Sequence, residues 1–230
     1  MTDPIVNLVV VAHPDDEVLG MGGTGAKLAA RGEIVQPIML CGKAEARTRR
    51  PEDEDFFEDI DKAMKIVGFA DPVYGAFPNI KMNTEAHLDV VQFIEKQIME
   101  FRPQRLFTHH PSDANDDHNV VSRAAMVAAR LPHRREDVPV IRSLHLMETP
   151  SATEWTYAGH ASPFLPNEYV EIGATLDAKI EACSAYRKVM RPFPHSRSPE
   201  AIKGLAAKRG GECHLGYAEA FQTVFSTQLD

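Results

Sequence analysis

Apolar residues along the chain fall into short unbroken runs that alternate with longer stretches spaced at three and four. Ile5 to Ala12 is a largely β-branched apolar run interrupted only by Asn7, the pattern of a strand covered on both faces. From about Asp16 to Arg31 the residues predict a helix that Gly32 ends. Ile34 to Cys41 is a second apolar strand, and Pro51 with the acids after it opens a helix that runs to about Val67 and closes at Gly68. Asp71 to Phe77 predicts a third strand. From Thr84 to Phe101, the residues Leu88, Val91, Phe93, Ile94, Ile98 and Phe101 keep mostly helical spacing, and Pro103 stops the helix. Leu106 to His109 predicts a short strand, Asp117 to Leu131 a helix with an Ala-rich stretch, and Val140 to Met147 another strand. Strands alternating with helices imply an α/β protein with a mainly parallel sheet and helices on both faces.

Past residue 150 the pattern loosens. TPSATEW and a loop containing SPFLPNEY precede a helix from Leu176 to Val189, then a Pro-rich turn, RPFPHSRSP. A helix from about Ser198 to Arg209 leads to a last apolar piece, Tyr217 to Phe225. With no internal repeat or long linker, residues 1–230 are expected to form one domain. About 1–150 would be its α/β core and about 151–230 a cap or lid with the C-terminal elements.

Composition narrows the class. The 230 residues are 43% hydrophobic and 25% charged, the balance of a soluble globular protein. A net charge of −8 argues against general affinity for nucleic acid or anionic membrane. No apolar run approaches the ~20 residues of a membrane span, and the N-terminus lacks a signal-peptide pattern. Cys41, Cys183 and Cys213 are odd in number and widely spaced, which suits reduced thiols in a cytoplasmic protein better than a disulfide framework.

The candidate chemistry begins in VVVAHPDDEVLGMGG, residues 9 to 23, where an apolar strand runs into His13 and three consecutive acids, Asp15, Asp16 and Glu17. Adjacent carboxylates repel one another unless a positive group sits among them. A second polar segment, HHPSDANDDH at residues 109 to 118, follows another strand. In open α/β sheets both would emerge at the carboxyl edge, where ligands collect. His13, Asp16 and His118 would supply two imidazoles and a carboxylate and leave a position for water, the make-up of a catalytic zinc site. Asp15 is the natural base for that water, and Asp117 would steady a ligand from behind. The other reading of the first segment is that its acids cap a helix N-terminus. Gly20, Gly22 and Gly25 fit G-x-G-x-x-G, but His13 to Leu19 separate them from the strand, so close helix packing explains them better than a dinucleotide.

Together, AHPDDEVLGMGG and HHPSDANDDH resemble the PIG-L/LmbE-like family of zinc-dependent N-deacetylases, and FLPNEYVEIGATLDAKIEACSAY, RPFPHSRS and YAEAF look like segments of bacterial members. The resemblance implies a Rossmann-like fold and hydrolysis of N-acetylated, N-acetylglucosamine-type small molecules. It implies zinc or another divalent metal such as Fe2+, held by His13, Asp16 and His118, with Asp15 as general base. Bacterial relatives commonly form homo-oligomers. Where many members carry a histidine three places before the last ligand, this chain has Asn115, which can donate a hydrogen bond but no proton. His110, His160 or His195 would then supply the acid, with His195 preferred because PFPH fixes a tight turn. Arg47, Trp155 and Arg191 are candidates for substrate contact; a solvated basic loop, core packing and a helix C-cap are their respective structural alternatives. Two rival functions remain: a non-haem iron oxygenase, which also uses two histidines and a carboxylate, and a non-catalytic metal- or sugar-binding protein on the same scaffold.

Overall fold

The computed structural model describes residues 4–42, 53–157 and 161–228. A seven-stranded sheet organises them. Its strands in chain order are β1 (Val6–Val11), β2 (Ile34–Met39), β3 (Val73–Tyr74), β4 (Arg105–His109), β5 (Ser143–Met147), β6 (Glu168–Glu171) and β7 (Ala218–Ser226). In space the order is β3-β2-β1-β4-β5-β7-β6, with the first five parallel, β7 antiparallel to β5, and β6 antiparallel to β7. The fold class is therefore the expected one, α/β with a mainly parallel sheet. The C-terminal third, read from sequence as cap and C-terminal elements, contributes two strands to this same sheet.

The helices are α1 (Asp16–Ala30), α2 (Asp53–Val67), α3 (His87–Phe101), α4 (Asp116–Ala128), α5 (Leu176–Ala185) and α6 (Pro199–Glu212). Strand alternation divides the core. Val9 and Val11 point to a cluster with α1, α2 and α5, while Leu8, Val10 and Ala12 point to the opposite cluster with α3 and α4. Both faces of β1 are thus covered, which is why its sequence is apolar from Leu8 onward, with Asn7 near its start. No helix among the described residues is long and apolar enough to cross a membrane.

Helix α1 is broken at Met21 (φ −145°, ψ 23°). A break leaves N–H groups of the second half and carbonyls of the first half without helical partners. Glu219 of β7 accepts from Gly23 N at 3.0 Å and Thr24 N at 2.6 Å, and Lys179 Nζ donates to Leu19 O at 2.9 Å. The two side chains also pair with each other at 2.5 Å, at 6% and 5% exposure. One buried ion pair therefore caps both sides of the break. Gly25 sits within this helix, where an added Cβ would lie 2.2 Å from the Phe69 ring. Close packing, as the sequence spacing implied, accounts for it.

Candidate metal centre

The order in which strands are added reverses between β1 and β4: β1 leads to β2 on one side, while β4 lies on the other. Clefts form at such a switch point, at the carboxyl ends of the strands. His13 follows β1 there, and His109 ends β4. The next turn leads into α4, whose N-cap is Asn115: its side chain accepts from Asp117 N at 3.0 Å. That start places Asp117 and His118 in the first turn of α4, both facing inward and buried.

Asp16 Oδ2 is the centre of the arrangement. It lies 3.3 Å from His13 Nδ1 and 3.3 Å from His118 Nε2. One ligand atom from each of His13, Asp16 and His118 falls within 4.8 Å of the others, so the three could hold a metal ion. Each imidazole is also held at its other nitrogen. His13 Nε2 and Asp117 Oδ2 are 2.9 Å apart, and Asp117 is itself fixed by the N–H groups of Ile80 (2.6 Å) and Met82 (3.0 Å). His118 Nδ1 is 2.9 Å from Asp113 Oδ2. A carboxylate on the outer nitrogen sets the tautomer and turns the other lone pair inward, which is how metal-binding histidines are usually supported. The donor set, two imidazole nitrogens and one carboxylate oxygen, suits zinc or ferrous iron.

The charges follow from these contacts. Burial disfavours the imidazolium of His13, but its bonds to Asp117 and Asp16 outweigh burial and hold its pKa well above the ordinary value. His118 is likewise lowered by burial, yet raised on balance by the Asp16 charge and the Asp113 bond. Burial pushes Asp16 up, while the His118 and His109 charges pull it well below the carboxylate range. His109 stacks on His118 with centroids 3.8 Å apart, and burial and the His118 charge keep it neutral. Its Nε2 accepts from Ala12 N at 2.9 Å, so its proton sits on Nδ1, a buried atom with no hydrogen-bond partner.

Asp15 is at the N-cap of α1, in the left-handed region (φ 109°), and makes no side-chain cap bond. Capping therefore does not explain Asp15, although Glu17 and Asp16 do accept from backbone N–H groups at this helix start. Glu17 is not part of the candidate group of His13, Asp16 and His118; it accepts from Asp15 N at 3.0 Å and from the Tyr186 hydroxyl at 2.5 Å. Burial, opposed by the Tyr186 bond and reinforced by the Asp15 charge, pushes the Glu17 pKa up to about 8 from the ordinary 4.5. A raised folded-state pKa gives stability that is fully present below the unfolded value and lost as pH rises through the folded one. The loss spans about pH 4.5 to 8 and, at 1.36 kcal/mol per pH unit, amounts to on the order of 5 kcal/mol. Glu17→Gln is expected to flatten this slope; urea denaturation at pH 5.5 and 8.5 checks it, and parallel curves for the two proteins would contradict it.

The remaining sequence candidates are more dispersed. His195 is exposed, and its Nδ1 accepts from Arg197 N at 3.0 Å; it makes no contact with the three ligands. Two residues on, Arg197 Nη1 lies 3.4 Å from Asp15 Oδ2. Arg191 donates its backbone N–H to Arg197 O and its guanidinium to Lys188 O, holding the same turn. Trp155 is 57% exposed and edge-on to Tyr157, which rules out core packing for it. Its turn is tied to the 109–118 segment by Ala114 N donating to Ala152 O and by the Thr156 hydroxyl donating to Ser112 O. His110 is buried, with its ring edge against Phe164, and burial lowers its pKa. Arg47 and His160 lie outside the described residues. Sequence reasoning missed Asp113, Arg197 and the Glu17–Tyr186 pair. Asp113 had a signal, an acid five residues before a candidate ligand, and Arg197 lies within the RPFPHSRS segment.

The PIG-L family, described as GlcNAc-PI de-N-acetylase, matches residues 8–129. The chain belongs to that family. It is 30% identical over 131 residues to the "Uncharacterized deacetylase YaiS" of Escherichia coli (strain K12), covering 54% of this chain and 67% of that protein. It is 28% identical over 192 residues to the "Probable N-acetyl-alpha-D-glucosaminyl L-malate deacetylase 2" of Bacillus cereus, covering 78% and 81%. The fold resembles the conserved protein TT1542 from Thermus thermophilus, with a TM-score of 0.78, 25% identity and coverage of 97% and 96%. It also resembles GalB, a 4-carboxy-2-hydroxymuconate hydratase from Pseudomonas putida KT2440, at TM-score 0.77, 19% identity and 98% coverage of both chains. At that identity the likeness speaks for the fold alone, so activity has to be argued from the site.

Proposed function

We propose that this protein is a divalent-metal-dependent N-deacetylase that hydrolyses the acetamido group of an amino sugar or sugar conjugate. The observation that carries the reading is the convergence of His13 Nδ1 and His118 Nε2 on one oxygen of Asp16, each imidazole backed by its own carboxylate. His13, Asp16 and His118 would hold the ion, zinc or alternatively ferrous iron. When bound, such an ion supplies Lewis acidity and lowers the pKa of a water to about 7.

The chain's own residues do the rest. Asp15, adjacent to the ligands and almost fully buried, takes the proton of the attacking water. The new bond joins the water oxygen to the acetyl carbon; the carbon–nitrogen bond breaks, and the proton leaves with the amine. Asn115 spends its side-chain oxygen on the start of α4, and its amide cannot act as an acid, so Asp15 is the group placed to return the proton. Asp117 and Asp113 keep the ligand imidazoles in their inward tautomers, and Trp155, exposed beside the 109–118 segment, is available to stack on a sugar ring.

The test is an amine-release screen of zinc-loaded protein over a free N-acetylated amino sugar, a nucleotide sugar, a sugar-malate conjugate, a lipid-linked glycan and a non-sugar acetamide. Equal amounts of acetate and free amine from a sugar-type compound are expected. Metal bound with no hydrolysis of any compound would point to a binding protein instead, and oxygen consumption with ferrous iron would point to an oxygenase.

A further inference from the structure

We infer that Arg197 is a positioning residue for Asp15, an inference that rests on reading Asp15 as the general base. The guanidinium bridges two turns at the carboxyl edge of the sheet. Its Nε donates to Ser151 Oγ at 2.6 Å and approaches Pro150 O at 3.3 Å, just after β5. Its Nη1 reaches Asp15 Oδ2 at 3.4 Å, just after β1.

Three observations separate this from an ordinary surface ion pair. First, the pair is withdrawn from water: Asp15 is 1% exposed at its side chain and Arg197 21%, so screening is weaker than for two exposed charges. Second, both residues that Arg197 joins are non-glycine residues in the left-handed region, Asp15 at φ 109° and Ser151 at φ 72°. Such backbones cost about 1–3 kcal/mol each and persist where surrounding contacts over-determine them. Third, Arg197 is itself pinned. Its N–H donates to His195 Nδ1, its carbonyl accepts from Arg191 N, and the next residue, the buried Ser198, caps α6 by accepting from Ala201 N at 3.0 Å. The start of a helix thus fixes where the guanidinium points.

The chemistry needs such a group. Asp15, Asp16 and Glu17 are consecutive and buried; the side-chain partners of Asp16 are histidines, while Glu17 accepts from the Tyr186 phenol and from Asp15 N. Arg197 brings an always-charged, planar donor to the run and can orient a carboxylate in a way a point charge cannot. Its place in the fold makes the Pro-rich turn part of the base's support, through Arg197 rather than through His195.

The experiment compares Arg197→Ala and Arg197→Lys with wild type in kcat, KM and zinc content, with Asp15→Asn as reference. Misplacing a reacting group by about an ångström can cost on the order of 100-fold. Arg197→Ala is therefore expected to lower kcat about 10- to 100-fold with KM and zinc content little changed. Arg197→Lys should lie between, and low guanidinium chloride, but not the same concentration of sodium chloride, should restore part of the Ala variant's turnover. Should the Ala variant fail to fold, the Lys variant carries the comparison: wild-type kcat there would overturn the inference. So would a rise in KM at constant kcat, which would make Arg197 a substrate contact. If Asp15→Asn keeps turnover, it is the base assignment that fails; if Asp15→Asn loses it and Arg197→Ala does not, only the role of Arg197 fails.

Discussion

Asp15→Asn is expected to reduce kcat by about a thousandfold, within the range that a positioned general base contributes, while zinc content and melting temperature stay close to wild type. The substitution keeps size and hydrogen-bonding capacity but removes the basic oxygen. Asp15 makes no side-chain cap bond, so the start of α1 does not depend on its carboxylate, and His13, Asp16 and His118, the proposed ligands, are left in place. The loss should therefore appear in kcat rather than in folding or metal uptake. Wild-type turnover in a folded, metal-loaded variant would refute the role given to Asp15.

The second large effect is on stability. Lys179→Met removes one partner of a buried ion pair and leaves Glu219 charged at 5% exposure. Stranding such a charge costs about 3–5 kcal/mol. It also deprives Leu19 O of its donor at the break in α1. At about 2–4 °C per kcal/mol for a chain of this size, the melting temperature should fall by roughly 6–20 °C. Glu219→Gln should lose less, because Lys179 keeps its bond to Leu19 O and the new amide oxygen can still accept from Lys179, Gly23 or Thr24. Equal stability of Lys179→Met and wild type in calorimetry would show that the pair does not hold the broken helix together.

Much of this was legible from residue pattern, for identifiable reasons. Strand β1 announced itself because both of its faces are buried, so no polar residue interrupts it beyond Asn7 near its start. Gly32 and Gly68 marked helix ends because both positions need positive φ, 82° and 72°. The meeting of His13, Asp16 and His118 was readable because each motif follows a strand that ends at the same edge. Other features had weaker signals. Strand β6, Glu168–Glu171, is a short half-buried edge strand with acids at both ends, and its pairing with β7 joins positions far apart along the chain. The helix expected from Thr84 starts at His87, after a 3-10 turn at Met82–Thr84, which leaves Leu88 exposed in the first turn rather than on the buried stripe. The helix expected to reach Val189 stops at Ala185. Arg197 and the Lys179–Glu219 pair act through partners 182 and 40 residues away, and no local spacing encodes such meetings.

The account stands most directly on metal content, measured by mass spectrometry on wild type and on the His13→Ala, His118→Ala, Asp15→Asn and His195→Ala variants after zinc loading and desalting. It predicts one tightly held ion per chain in wild type, Asp15→Asn and His195→Ala, and loss of that ion in His13→Ala and His118→Ala. A wild-type protein that retains no ion, or folded His13→Ala and His118→Ala variants that retain a full complement, would contradict it.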